Sequence, residues 1–131
     1  MMRRRQMELR QLPFELTVCK VSDVTSIDFS SEFFFVGKTD EEISLVCQTS
    51  EVPSNTVARE DGWRGFVIEG VLDFSLVGIL SKVSGVLAAA GIGIFAVSTY
   101  NTDYILVKSE NFCKAADALA AAGYTIKVAA A

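Results

Sequence analysis

The sequence contains no histidine, and this absence removes two common kinds of chemistry at once. Histidine is the side chain most often used as a general base near neutral pH, and it is the commonest metal ligand. The chain has only three cysteines, Cys19, Cys47 and Cys113, which form no CxxC pair. Such spacing is typical of reduced, intracellular thiols. We therefore predict no metal site and no cofactor, and we interpret all three cysteines as small buried hydrophobes.

Positive charge is scarce. The chain has 12 Lys and Arg residues against 16 Asp and Glu residues, which gives a formal net charge of −4. Residues 22–73 hold eleven acidic residues against three basic ones, and the only basic cluster is Arg3–Arg5. Proteins that bind DNA or RNA usually carry a basic stripe on their surface. The charge pattern therefore predicts that nucleic acid is not a partner.

Long hydrophobic runs are also missing. The longest, residues 83–97, falls short of the roughly 20 residues that a membrane-spanning helix needs. Gly91 and Gly93 divide it into a helix followed by a strand. Met1–Arg5 resembles the start of a signal peptide, but charged residues interrupt the apolar stretch that should follow. We expect a soluble, cytoplasmic protein with no membrane partner.

Two stretches of the chain resemble one another. Residues 35–46 and residues 95–107 each contain Phe, then Thr four positions later, then an acidic residue, and each ends in Leu-Val. One residue inserted in the turn of the second stretch aligns them. A repeat of this kind predicts two copies of one supersecondary unit.

The second half of the chain predicts six elements in the order β-α-β-β-α-β. Hydrophobic periodicity and the glycines that end helices place them. The predicted strands cover residues 66–72, 93–99, 103–109 and 124–128, and the predicted helices cover residues 78–90 and 111–122. This order is that of an α+β, ferredoxin-like fold, in which an antiparallel four-stranded sheet carries two helices on one face.

The first half repeats this pattern only in part. Three strands are predicted, over residues 14–21, 32–38 and 43–49. The polar segments 22–31 and 50–61 lack helical periodicity and are predicted as loops or single helical turns. We therefore expect a disordered or fraying N-terminus over residues 1–11, a partial first unit over residues 12–62, and a complete second unit over residues 63–131.

Residues 91–107, together with residues 73–80, resemble the ACT domain, and the Ser98–Asp103 turn is the most specific part of the match. More narrowly, the chain is similar to small tandem ACT proteins, to the regulatory end of aspartate kinases and to the eukaryotic cytosolic arginine sensors. The resemblance covers roughly residues 12–128. It implies two ferredoxin-like ACT units packed together, the first one degraded, with few or no helices. It also implies a non-catalytic regulatory protein that binds a free amino acid, forms a homodimer and acts on an enzyme or regulator.

The resemblance further implies where the amino acid binds: at the interface between ACT units, against a strand-to-helix loop and a hairpin turn. Carried over by position, the loop supplies Asp73, Phe74, Ser75, Leu76, Val77, Gly78 and Ile79. The turn supplies Ser98, Thr99, Tyr100, Asn101, Thr102 and Asp103, and the facing edge supplies Ser44 and Leu45.

These residue types suit a zwitterionic ligand. The N-terminus of the helix that follows Gly78 presents backbone N–H groups and a partial positive charge to a carboxylate. Asp103 offers a carboxylate to an ammonium group, and Thr99 adds a hydroxyl. Taken singly, each is also an ordinary turn, strand or capping residue. The acidic segment 22–73 leans towards a cationic amino acid, although surface charge mostly sets solubility and encounter rate.

Two alternatives remain. The same fold can serve as an interaction module that binds no metabolite, with its sheet edges and apolar loops contacting a partner. It can also carry hydrolase chemistry of the acylphosphatase type, which depends on an arginine in the phosphate-binding loop. The corresponding loop, residues 73–78, has no Arg or Lys and contains an acid. The sequence therefore favours a protein that is not an enzyme.

Overall fold

The computed structural model describes residues 7–69 and 78–128. Within these ranges the chain forms eight strands and two α-helices. The strands are β1 (Glu8–Gln11), β2 (Leu16–Val21), β3 (Phe34–Lys38), β4 (Ile43–Gln48), β5 (Thr56–Glu69), β6 (Phe95–Ser98), β7 (Asp103–Lys108) and β8 (Thr125–Lys127). The helices are α1 (Ile79–Ala89) and α2 (Phe112–Ala121), and 3-10 turns follow β4 and β7 at Thr49–Glu51 and Ser109–Asn111.

The chain divides into two compact units. One consists of Phe14–Trp63 and is called the inserted unit, because the sequence of the other unit continues on both sides of it. The other, called the main unit, comprises the described residues of Met1–Pro13 and Arg64–Ala131. Strand β5 contributes residues 56–63 to the inserted unit and residues 64–69 to the main unit.

The main unit has the β-α-β-β-α-β order expected of a ferredoxin-like fold, with one additional strand. Its sheet order is β6-β7-β5-β1-β8. Strand β1 pairs antiparallel with β5 and parallel with β8, so it lies between the first and last strands of the β-α-β-β-α-β pattern. The predicted strand over residues 66–72 is the end of β5, and its residues 70–72 lie outside the described residues.

Strand β1 corrects the expectation of a disordered or fraying N-terminus over residues 1–11 at its described end, residues 8–11. Leu9 pairs with Ile68 and its side chain is fully buried in the main core. A strand of four residues carries too little alternation to be recognised in the sequence. Its partners lie about sixty residues or more away in sequence, so only the tertiary structure reveals them.

The main core forms between one face of this sheet and the two helices. The strands contribute Phe66, Ile68, Ile105 and Val107, which alternate along their strands as the pleat requires. The helices contribute Val83, Leu87, Ala115 and Leu119, which are spaced four residues apart on one helical face.

The glycines that were predicted to end the helices do so. Gly91 follows α1 with φ 76°, and Gly123 follows α2 with φ 102°. Both are left-handed conformations that a residue without a Cβ adopts at low cost.

The inserted unit has the same strand order without the helices. Its sheet order is β3-β4-β2-β5, which is the ferredoxin-like order when β2, β3, β4 and β5 are counted as first to fourth strand. Residues 22–33 replace the first helix, and a 3-10 turn begins the segment that replaces the second. The prediction of a degraded unit with few or no helices is confirmed.

One segment of the inserted unit was wrongly predicted. Residues 56–61, expected to be loop, form the first part of β5 and pair antiparallel with β2. Their side chains are mostly exposed, so the apolar alternation that marks a half-buried strand is absent. The pairing with β2 also contains register shifts.

The repeat is real, but its alignment needs no inserted residue. A constant offset of 60 residues relates Thr39 to Thr99, Ile43–Gln48 to Asp103–Lys108, and the 3-10 turn at Thr49 to the one at Ser109. The two strands at this offset, β4 and β7, show the same burial pattern along all six residues. The Leu-Val pairs that suggested the insertion are therefore one position out of register.

The inserted unit has its own small core, in which cysteines take part. Cys19 and Cys47 pack with Val21, Ile27 and Leu45. Burial raises the pKa of Cys47 to about 12 and raises the pKa of Cys19 as well. Cys113 is exposed, which corrects the expectation that all three cysteines are buried.

No helix among the described residues is long and apolar enough to span a membrane. Residues 7–69 and 78–128 likewise contain no cluster of His, Cys, Asp and Glu that could hold a metal ion.

The burial of β1 predicts the result of a substitution. Leu9→Ala removes a fully buried side chain and should lower the free energy of unfolding by about 2–5 kcal/mol. Glu8→Ala is the control: its ion pair with Lys127 is partly exposed, so the loss should stay within about 1 kcal/mol. Urea denaturation measures both. Equal, small effects would show that residues 8–11 contribute no core strand.

The cysteines predict a thiol count. At pH 8 the native protein should react with Ellman's reagent at one thiol, Cys113, because Cys19 and Cys47 are buried and held in the protonated form. In denaturant all three thiols should react. Rapid reaction of two or three thiols in the native protein would contradict the described core of the inserted unit.

Candidate functional site

The main unit contains a pocket of about 340 Å³ where α1 begins and the hairpin between β6 and β7 turns. Ile68 of β5 completes its wall. The described lining residues are Ile68, Gly78, Ile79, Leu80, Thr99, Tyr100, Asn101, Thr102 and Asp103.

Gly78 is the residue before α1, and its backbone has a left-handed conformation. Its φ of 83° and ψ of 15° lie in the left-handed region, and its carbonyl accepts the first helical bond from the Lys82 N–H at 2.9 Å. No described side chain caps the helix. Ile79 and Leu80 of its first turn line the pocket, where the helix dipole favours an anion.

The hairpin turn is held rigidly by its two threonines. The Thr99 N–H donates to the Thr102 carbonyl at 2.8 Å, and the Thr99 hydroxyl donates to the same carbonyl at 3.0 Å. The Thr102 hydroxyl donates to the Ile68 carbonyl at 2.6 Å, which ties the turn to β5. These hydroxyls stabilise the turn, so Thr99 has a structural role in addition to the ligand contact expected of it.

Asp103 carries the only carboxylate of the described pocket lining. Its side chain is half-buried, and its carboxylate makes no hydrogen bond or ion pair with the described residues. Asn101 is exposed, and Tyr100 is completely exposed at the tip of the turn. The described lining thus combines the carboxylate of Asp103 with the first turn of α1.

The structure brings together seven of the fifteen residues predicted from the sequence. Gly78, Ile79, Thr99, Tyr100, Asn101, Thr102 and Asp103 all line the pocket. Ser98 lies on β6 and pairs with Asp103 of β7, but it is not part of the lining. The loop residues Asp73, Phe74, Ser75, Leu76 and Val77 lie outside the described residues.

Ser44 and Leu45 do not line this pocket. Both belong to β4 of the inserted unit. The Ser44 hydroxyl donates to Glu42 at 2.9 Å, and Leu45 is only 1% exposed and packs in that unit's own core.

Sequence reasoning missed two lining residues, Ile68 and Leu80. Leu80 follows Ile79 in the first turn of α1, so the helix start could have indicated it. Ile68 is 3% exposed, and its position in the strand pattern predicts a core residue rather than a pocket wall.

The inserted unit repeats the turn but not its carboxylate. Its turn is closed by an equivalent hydrogen bond, which the Thr39 N–H donates to the Glu42 carbonyl at 2.9 Å. The Thr39 hydroxyl also accepts hydrogen bonds from the backbone N–H groups of Glu41 and Glu42. At the offset of 60 residues, the counterpart of Asp103 is Ile43. The acid that the sequence repeat paired with Asp103 is therefore not its structural equivalent.

Residues 58–121 match the sequence profile of the ACT domain. They span the end of β5, both helices and the hairpin that carries the pocket. The chain is an ACT-domain protein. Most of the inserted unit lies outside the matched range. This agrees with its structure, because the inserted unit lacks the two helices of the pattern.

Solved structures with a similar fold cover nearly the whole chain. A protein from Agobacterium tumefaciens is 30% identical, with a TM-score of 0.87, and the match covers 98% of this chain and 97% of that one. A protein of unknown function from Vibrio cholerae, described as a possible transport protein, is 20% identical, with a TM-score of 0.71 over 88% and 89% of the two chains.

The aspartate kinase of Clostridium acetobutylicum, described as an allosteric enzyme, is 15% identical. Its TM-score is 0.65 over 83% of this ACT-domain protein and 33% of the kinase. At such low identity the likeness to aspartate kinase concerns the fold. No curated protein matches this sequence significantly.

Two glycines of one helix predict opposite effects of the same substitution. Gly78→Ala places a side chain at a φ of 83° and should destabilise the protein by about 1–2 kcal/mol, although the added Cβ would contact nothing. Gly85→Ala lies inside α1 in ordinary helical conformation, also with open space around the Cβ, and should stabilise by about 0.5–1 kcal/mol. Thermal and urea unfolding measure both. Effects of the same sign would contradict the left-handed start of α1.

Proposed function

We propose that this ACT-domain protein is a non-catalytic regulatory protein that binds a free amino acid in the pocket of its main unit. The observation that carries the proposal is that a carboxylate with no partner among the described residues, Asp103, and the first turn of α1 border the same pocket. A free amino acid carries the two complementary charges on one carbon atom. Few other metabolites of this size present both.

Each charged end of the ligand has a partner of the appropriate kind. The α-carboxylate accepts backbone N–H groups from the first turn of α1, where the helix dipole favours negative charge. The α-ammonium donates to Asp103 in a charge-assisted hydrogen bond. Gly78 is exposed and has no side chain between the helix N-terminus and the ligand.

The proposal includes a second ACT unit that closes the open side of the pocket, supplied by a second copy of the chain in a cytoplasmic homodimer. Tyr100 supports this part. It is a fully exposed aromatic side chain beside the pocket, and such residues often anchor protein interfaces. A ligand held between two copies stabilises the dimer, since it binds the assembled state more tightly than the separate chains. An enzyme or regulator that recognises one of these states then responds to the amino acid.

An interaction module that binds no metabolite is the second candidate. Apart from Tyr100, the exposed apolar side chains of Phe29 and Val57 favour it; each is more than 60% exposed. Exposed apolar side chains are typical of surfaces that contact another protein where they form one continuous patch.

A thermal-shift screen of the full chain against the twenty amino acids tests the proposal. A ligand at a hundred times its Kd stabilises the folded state by about 2.7 kcal/mol, which raises the Tm by roughly 10 °C for a chain of this size. Asp103→Asn should abolish the shift. Asp117→Asn, an exposed carboxylate of α2 outside the pocket lining, should leave it unchanged.

A flat response to all twenty amino acids, with a complex recovered by pull-down, would favour the interaction module. A shift that survives Asp103→Asn would show that the amino acid binds elsewhere.

A further inference from the structure

Strand β3 ends the sheet of the inserted unit. It pairs with β4 on one side, and no strand among the described residues pairs with its other edge. Its last three residues, Val36, Gly37 and Lys38, are exposed. A strand in this position presents a row of backbone N–H and C=O groups to which a further strand can bond.

The other edge strands are better protected than β3. The start of β5, at the opposite edge of the same unit's sheet, carries three consecutive charged residues, Arg59–Asp61. In the main unit, the edge strands β6 and β8 have only four and three residues. Charged side chains and short length are common ways in which proteins block pairing at an edge. Strand β3 has five residues and carries its single charge on the last of them.

We propose that β3 pairs antiparallel with β3 of a second copy of this chain, in a register centred on Phe35. The contact belongs to the inserted unit, so it goes beyond the proposed amino-acid site and forms without a ligand. A second copy is the occupant that the sequence of the strand favours, because antiparallel self-pairing places the start of the segment opposite its own end, and these two ends complement each other.

The hydrogen bonds of the β3–β4 hairpin decide which residues of β3 face the free edge. The Thr39 N–H donates to the Glu42 carbonyl at 2.9 Å. Hydrogen-bonded and non-bonded pairs alternate along an antiparallel ladder, so Gly37 and Phe35 bond to β4. The backbone groups of residues 34, 36 and 38 therefore point to the free edge. In the register centred on Phe35, Phe34 of each copy bonds to Val36 of the other.

Charge selects this register among those that satisfy the same bonding. Lys38 ends the strand, and Glu32 lies two residues before its start. Both side chains are exposed, and neither makes an ion pair or a side-chain hydrogen bond with the described residues. Centring on Phe35 places Glu32 of each copy opposite Lys38 of the other, which gives two opposite-charge pairs. Centring on Val36 would instead place Glu32 opposite Asp40, a pair of like charges.

The aromatic residues fit the same register. Phe33 and Phe35 are half-buried neighbours whose ring centroids lie 5.1 Å apart. The two copies of Phe35 would form a non-hydrogen-bonded pair, in which cross-strand side chains are closest and aromatic pairs stabilise. Phe33 would lie opposite Gly37. A Cβ added at Gly37 meets nothing within 4 Å, so there is room for a ring, and aromatic side chains stabilise sheets by covering glycines in this way.

Charge reversal tests the pairing by sedimentation velocity at low salt, without amino acids. Glu32→Lys and Lys38→Glu each turn both attractive pairs of the dimer into repulsive ones, so each should raise the dimer Kd at least about tenfold. A one-to-one mixture of the two variants restores both pairs and should dimerise as the unchanged chain does. Misfolding of either variant cannot produce this rescue. Lys20→Glu makes the same change at an exposed position of β2 and is the control.

Oxidative cross-linking tests the register, with Cys113→Ser as the background. In a non-hydrogen-bonded pair the Cα atoms lie about 4.5 Å apart, which permits a disulfide, so Phe35→Cys should form a covalent dimer. Gly37→Cys is the matched control. Its two copies would lie four residues apart along the strands, roughly 13 Å, and should not cross-link.

The outcomes are separate from those of the proposed function. A chain that stays monomeric at high concentration, charge variants that dimerise as the unchanged chain does, or cross-linking at Gly37→Cys would overturn the pairing, and amino-acid binding would be unaffected. Rescue by the mixture together with cross-linking at Phe35→Cys would support it, even if no amino acid binds.

Discussion

The hydrogen bond from the Thr102 hydroxyl to the Ile68 carbonyl, at 2.6 Å, is the interaction on which the candidate site depends. It joins the hairpin turn between β6 and β7 to the strand that supports the pocket wall. Thr99 closes the same turn from the other side through its own N–H and hydroxyl. Because the turn is bound in this way, Asp103 starts β7 at a defined place beside the pocket rather than on a mobile tip.

The second constraint is the left-handed conformation of Gly78. A helix that begins with an ordinary capping residue uses the side chain of that residue to satisfy an N–H group of its first turn. Gly78 has no side chain for this role, and Ile79 and Leu80 after it border the pocket. The first turn of α1 is therefore an anion-binding element of the described part of the site.

The two units show how one supersecondary pattern can diverge. Both keep the strand order, the turn closed by a threonine and the 3-10 turn that follows the hairpin, at a constant offset of 60 residues. The inserted unit has lost both helices, and Ile43 stands at the counterpart of Asp103. A pocket of the kind described needs a helix N-terminus and a carboxylate, and the inserted unit lacks both. The turn is therefore common to both units, whereas the helix and a carboxylate at this position occur only in the main unit.

The sequence by itself determined the main unit and much of the site. Apolar spacing marks α1 and α2, and the residues of the turn and of the helix start are adjacent in sequence. Only the tertiary structure decided the remainder. These features are strand β1, the start of β5 and the position of Ile68, and all three depend on pairing between residues far apart in the chain. Because β1 is short and the start of β5 is exposed, neither segment shows the hydrophobic alternation by which a strand is recognised in a sequence.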